Sequence, residues 1–169
     1  MEFRSDNVRS RDLPAILALN QTEVPRVGPL GIGSLRWFAA HAACFRVMRA
    51  GDEVAAFLIG LRPGLDYKSP NYRWFCAHYD DFGYVDRVAV GRRYRRAGLA
   101  SRLYDDFLSA LPAEVPVLTC EVNLDPPNPG SMRFHERLGF RQVATQETDG
   151  GAKTVALLAL TLADRRAPQ

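Results

Sequence analysis

The chain has 169 residues, 47% of them hydrophobic, and a net charge of +3. That length and apolar content fit one globular domain over residues 1–169 with a sizeable core. No run of eighteen apolar residues occurs and Met1, Glu2, Phe3 and Arg4 open no apolar signal core, so neither a membrane span nor a secretion signal is expected, and the expected location is cytoplasmic. Cys44, Cys76 and Cys120 lie far apart without a Cys-x-x-Cys pair; they read as small buried hydrophobes, and no disulfide framework or metal site is expected.

Phe3 and its neighbours read as a short first strand. Asp12 reads as the cap of a first helix in which Leu13, Ile16, Leu17 and Asn20 share a face and Pro14 falls in the first turn. From Asn20 through Pro25 to Gly33 the density of breakers reads as a loop, where Asn20 and Glu23 either face a substrate or serve as turn and cap residues. Ser34 reads as the cap of a second helix with Leu35, Phe38, Ala42 and Phe45 as its apolar stripe. Residues 46–50 and 53–61 flank Gly51 and Asp52 as a hairpin, with residues 55–59 buried. Residues 63–81 read as a long loop. Its aromatic set of Tyr67, Tyr72, Trp74, Phe75 and Tyr79 argues against disorder and for a flap over a pocket, a dimer contact or packing on the sheet.

Residues 85–90 read as a strand, residues 91–97 as a basic, glycine-containing loop, and Gly98, Leu99 and Ala100 as the opening of a helix whose buried face is Leu99, Leu103, Phe107 and Leu111. A strand feeding a helix through such a loop is an anion site, because the unpaired N–H groups and positive dipole end of the helix point into the loop. Gly98 leaves room for a phosphate, and Arg95 and Arg96 add guanidinium forks. The compact cluster of Arg92, Arg93, Arg95 and Arg96 lacks the aromatic interleaving of a nucleic-acid surface; Arg92 and Arg93 also read as a solvated charged loop.

Pro112 stops that helix. Residues 115–123 read as a strand with Val117, Thr119, Glu121 and Asn123 on one face and Leu118, Cys120 and Val122 on the other. Asn128 and Pro129 start a helix by capping logic, Gly139 ends it with Phe140 packing back, and residues 141–147 and 153–162 close the chain as a hairpin ahead of a frayed tail from residue 163. The element order is β-α-α-β-β-β-α-β-α-β-β, a mixed α/β domain.

The run Arg95, Arg96, Ala97, Gly98, Leu99, Ala100 resembles the pyrophosphate-binding signature of the GNAT superfamily of acetyl-CoA-dependent N-acyltransferases: Arg or Gln, two variable positions, Gly, one variable position, Gly or Ala. Asn128, Ser131, Phe134, His135, Leu138, Gly139 and Phe140 resemble its second signature, with His135 where the family usually has Tyr. The resemblance implies the GNAT fold, an α+β architecture with a central mixed, mostly antiparallel sheet flanked by helices and two splayed central strands that thread the pantetheine arm. It implies acetyl-CoA as co-substrate, contacted by Val88, Ala89 and Val90 on the strand, by Arg95, Arg96, Ala97, Gly98, Leu99, Ala100 and Ser101 around the pyrophosphate, and by Asn128, Ser131 and Phe134. It also implies that the loop between the first two helices walls the acceptor site.

Acetyl transfer from a thioester needs a neutral amine, a stabilised oxyanion and a proton for the leaving thiolate. A lysine-like amine, with a pKa of about 10.4, is almost wholly protonated near neutral pH, so a base must take its proton. Asp86 is the first candidate and Glu121 the second; Asp86 beside Arg87 reads equally as a structural ion pair. His135 stands at the general-acid position, where it either protonates the thiolate or hydrogen-bonds the cofactor. The resemblance implies a backbone N–H near Val88 for the oxyanion. The expected activity is direct acetyl transfer to a small-molecule or peptide amine in a ternary complex, with no nucleic-acid or membrane partner. The alternative is a non-catalytic acyl-CoA-binding or regulatory module on the same fold, indifferent to Asp86 and His135. The residues leave the acceptor, the acyl length and a homodimer open.

Overall fold

A computed structural model describes residues 1–162; the tail expected to fray, residues 163–169, lies outside them. Among the described residues the order is β1 (Phe3–Asn7), α1 (Leu13–Glu23), α2 (Ile32–His41), β2 (Cys44–Ala50), β3 (Glu53–Leu61), α3 (Pro70–His78), β4 (Gly83–Val90), α4 (Leu99–Ala110), β5 (Val117–Asp125), α5 (Pro129–Leu138), β6 (Arg141–Thr148) and β7 (Lys153–Thr161). The strands follow one another in the sheet as β1-β2-β3-β4-β5-β7-β6. Pairings β1–β2, β2–β3, β5–β7 and β6–β7 are antiparallel, and β4 pairs with β5 in parallel through Gly83 opposite Leu118 and Tyr84 opposite Thr119. This is the mixed, mostly antiparallel sheet with flanking helices that the motifs imply. No described helix is long and apolar enough to cross a membrane. The chain divides into two compact units, Met1–Leu61 with Val85–Leu111, and Arg62–Tyr84 with the chain from Pro112 on.

In the first unit α4 lies on β2 and β3. Leu99, Leu103 and Phe107 recur every fourth residue on its buried face, as expected, joined by Tyr104. The fit against β3 is close: a Cβ built on Gly60 would stand 2.5 Å from the Phe107 ring, so only glycine lets the helix rest there. Arg49, 4% exposed, is buried with its charge paired, its guanidinium holding Asp12 through two bonds of 2.8 and 2.9 Å and Asp6 through one of 2.9 Å. Asp12 does not cap α1 with its side chain; that carboxylate accepts the Arg9 N–H at 2.7 Å and serves Arg49 instead.

The second unit holds an aromatic cluster. Tyr72 and Phe75 of α3 and Phe82 are buried around Tyr84, with ring centroids of Tyr72 and Phe75 at 5.5 and 5.8 Å from it. α5 starts and stops where its residues dictate, with Asn128 at the N-cap, Pro129 at the first helical position, and Gly139 in the left-handed region at φ 103.

Four further expectations change. The chain stays helical to Glu23, because every breaker lies beyond it and Asn20 and Glu23 continue the buried row of Leu13 and Ile16. α2 opens at Ile32 after an extended Gly31, two residues before Ser34, and ends at His41, so Phe45 belongs to β2. The expected loop over residues 63–81 contains α3: Ser69 Oγ accepts the Tyr72 N–H at 3.3 Å, Pro70 takes the first helical position, and Tyr72 and Phe75, three apart, form the buried face. Cys44 and Cys120 are buried as expected, but Cys76 sits on the outer side of α3 and is exposed.

Candidate functional site

β4 delivers the chain to a tight turn in the first unit. The Gly91 N–H donates to Ala55 O at 2.8 Å, and a Cβ on Gly91 would come within 3.3 Å of that oxygen. A short 3-10 turn, Arg92–Tyr94, follows, with Tyr94 buried edge-on against Phe3. Arg95 is extended, Arg96 adopts φ 64, and Gly98, at the N-cap of the 12-residue α4, adopts φ 74. A left-handed arginine is uncommon and costs roughly 1–2 kcal/mol, a strain typical of ligand-binding turns. Backbone of alternating handedness turns successive N–H groups toward one side, and Arg96 and Gly98 stand just ahead of the first N–H groups of α4, which have no partner within the helix. Space around Gly98 is open, with nothing within 4 Å of a built Cβ; the positive φ is what calls for glycine. Arg95, Arg96 and Ala97 are exposed, Ala100 and Ser101 half-buried, and the Leu99 side chain belongs to the core.

The arginines around this turn divide by partner. Arg95 donates to Glu23 at 2.7 Å, and Arg26 stands 3.5 Å from the other Glu23 oxygen. Arg93 lies 3.6 Å from Glu53 and over the Tyr94 ring, and Arg92 is exposed, in keeping with a solvated charged loop at those two positions.

On β4, Val88 and Val90 are half-buried and Ala89 is buried. The Asp86 carboxylate, 3% exposed, accepts from Arg87 Nε at 2.8 Å. Arg87 reaches on to the Asn20 side chain at 3.0 Å and to Gly28 O at 2.7 Å, and Asn20 donates to the same carbonyl at 3.0 Å. Asp86 thus stands in the ion-pair alternative that the sequence left open, and Arg87 clamps the segment between α1 and α2. No residue type or spacing announces that clamp, because its target is a backbone oxygen.

In the second unit the Tyr84 hydroxyl donates to Glu121, 2.8 and 3.0 Å from its two oxygens. Parallel pairing sets Tyr84 opposite Thr119, so Glu121, two residues on, shares its face. On α5, Asn128 Oδ1 accepts the Ser131 N–H at 3.4 Å as a cap. His135, 3% exposed, contacts Ser131 O through Nδ1 at 2.7 Å, which assigns the ring proton to Nδ1, and its ring meets Phe134 and Phe140 edge-on. Burial lowers the His135 pKa below 6.5, against the opposing pull of the Ser131 carbonyl, so the ring is neutral at pH 7.

A model of the GNAT acetyltransferase family matches residues 15–140. Among curated protein sequences none matches significantly. Solved structures that the fold resembles include Ard1 from Thermoplasma volcanium (TM-score 0.77, 18% identity, covering 95% of this chain and 98% of that one). The ribosomal-protein-S18-alanine N-acetyltransferase from Escherichia coli is also similar (0.71, 18%, 95% and 94%), as is Arabidopsis thaliana NAA60 in complex with a bisubstrate analogue (0.74, 15%, 95% and 98%).

Proposed function

We propose that this chain, which belongs to the GNAT family of acetyltransferases, transfers an acetyl group from acetyl-CoA to a small-molecule or peptide amine by direct attack. The observation that carries this reading is the turn before α4, where Arg96 and Gly98 are left-handed just ahead of a helix N-terminus and nothing stands within 4 Å of a Cβ built on Gly98. Acetyl-CoA supplies the activated acetyl thioester.

The chain's own residues then divide the work. Residues 95–101 hold the pyrophosphate through backbone N–H groups, with Arg95 and Arg96 adding charge. The backbone of Val88, Ala89 and Val90 pairs with the pantetheine amides, with an N–H near Val88 for the oxyanion, and Asn128, Ser131 and Phe134 make further cofactor contacts. Glu121 moves ahead of Asp86 as the base, because Asp86 is engaged by Arg87 while Glu121 is half-buried with its carboxylate on a hydroxyl donor. His135, neutral at pH 7 with its one ring proton directed to Ser131 O, holds α5 in place through that contact, or passes to the thiolate a proton that its Nε2 has first taken up from the attacking amine.

The commitment of His135 Nδ1 to Ser131 O also favours a second reading, a non-catalytic acyl-CoA-binding module. Calorimetry with acetyl-CoA, followed by release of free thiol across a panel of amines and short peptides, separates the two. Binding with thiol release supports the transferase; binding without release across the panel supports the module; absence of binding overturns both.

A further inference from the structure

Glu121 is held by a residue to which the family motifs give no part. The Tyr84 side chain is fully buried, and its single hydroxyl proton is shared between the two Glu121 oxygens at 2.8 and 3.0 Å. Its ring is fixed by Tyr72 and Phe75. Tyr72 is anchored in turn, its hydroxyl donating to Arg62 O at 2.9 Å and accepting from Leu65 N at 3.0 Å. The backbone is pinned as well: Thr119, opposite Tyr84, donates its hydroxyl to Gly83 O at 2.9 Å. The phenol is therefore the rigid member of the pair and the Glu121 carboxylate the one being aimed.

We infer that Tyr84 is a positioning residue for acyl transfer, fixing the Glu121 carboxylate in its ionised form so that it acts as a base at neutral pH. This rests on the base role given to Glu121 above. A hydrogen bond from a buried donor favours the charged carboxylate and offsets the opposing effect of its partial burial. The sheet sets further side chains beside Glu121. On β5 the same face carries Thr119 and Asn123, and on β7 it carries Val155, Leu157 and Ala159. From α3, Phe75 and Tyr72 pack on the Tyr84 ring, the latter neutral, its hydroxyl pushed up to about 12 chiefly by burial. α5 packs on β5 and carries the neutral His135, whose ring is held by Ser131, Phe134 and Phe140.

The test is Tyr84→Phe, which removes one oxygen and keeps the ring in its cage. The Glu121 carboxyl is titrated by carbon-13 NMR of glutamate-labelled protein, its signal identified by its loss in Glu121→Gln, with no acceptor present. Tyr84→Phe is expected to raise that titration by about one pH unit. In thiol release with the best amine of the panel, it is expected to lower kcat at least tenfold at pH 7 because the carboxylate loses its aim, leave the KM for acetyl-CoA unchanged, and move the acid limb of the rate profile upward with the NMR titration. A titration and acid limb that stay in place overturn the inference while leaving Glu121 as base. Full turnover in Glu121→Gln overturns the base assignment and the inference with it.

Discussion

Glu23 closes α1 and holds Arg95 at 2.7 Å across 72 positions of sequence. The arginine proposed to meet the pyrophosphate therefore already has a carboxylate on its guanidinium, and that carboxylate is itself only 10% exposed and shared with Arg26. Under the proposed function, an anion bound at this turn competes with an internal one.

Glu23→Gln removes the competing charge and keeps a hydrogen-bonding side chain. Acetyl-CoA should bind about threefold more tightly, as expected when one opposing charge near a partly exposed pair is removed. Calorimetry at fixed ionic strength reads this; weaker binding would mean that Glu23 aims Arg95 more than it neutralises it.

Gly98→Glu should abolish acetyl-CoA binding by setting a carboxylate against the pyrophosphate. Because φ at Gly98 is +74, any side chain there also carries backbone strain. Gly98→Asn is the control, since asparagine tolerates the left-handed region best among non-glycine residues. If the Gly98→Asn variant is folded by circular dichroism and binds within about tenfold of wild type, while a folded Gly98→Glu variant does not bind, the charge is the cause. Wild-type affinity in a folded Gly98→Glu variant removes this turn from the cofactor site.

Arg87→Met takes the Arg87 guanidinium from the Asp86 carboxylate, 3% exposed, and removes one of the two side chains that hold Gly28 O. The expected cost is about 3 kcal/mol in urea unfolding, in the range for breaking one side of a buried pair. Amide exchange over residues 24–31 should also quicken relative to the rest of α1. If that segment exchanges as in wild type, Arg87 is not what holds it.

His135 has its pKa lowered in the folded protein, so below 6.5 the unfolded chain takes up a proton that the buried ring refuses. Its contribution to stability is complete above pH 6.5 and is lost as pH falls from there toward the folded value. Melting temperature should decline over that window in wild type and decline less in His135→Phe. The same variant should lower turnover more than cofactor affinity; a rate profile identical in height and shape would show that His135 is not the acid.

The parts legible in the sequence are those whose signals are local. Asn128, Pro129 and Gly139 bound α5 because caps act within a turn of the residues they serve, and Gly98 with the spacing of Leu99, Leu103 and Phe107 marks α4 in the same way. α3 carries equally local signals in Ser69, Pro70, Tyr72 and Phe75, but the abundance of aromatic residues around them hides their helical spacing. Nothing local announces Glu23 against Arg95 or Tyr84 against Glu121. The first needs the end of α1 brought beside the loop after β4, and the second needs a particular parallel register, so each pairing exists only once the sheet is assembled.

Gly60 and Phe107 touch no proposed ligand, yet between them they fix the height at which α4 rides over β3. One added methyl group would have to lift that helix or turn the ring aside, and lifting it would carry the anion-binding turn along with its own scaffold. The bare patch on β3 is thus a remote adjusting screw for the proposed cofactor grip, set by two residues that meet no phosphate.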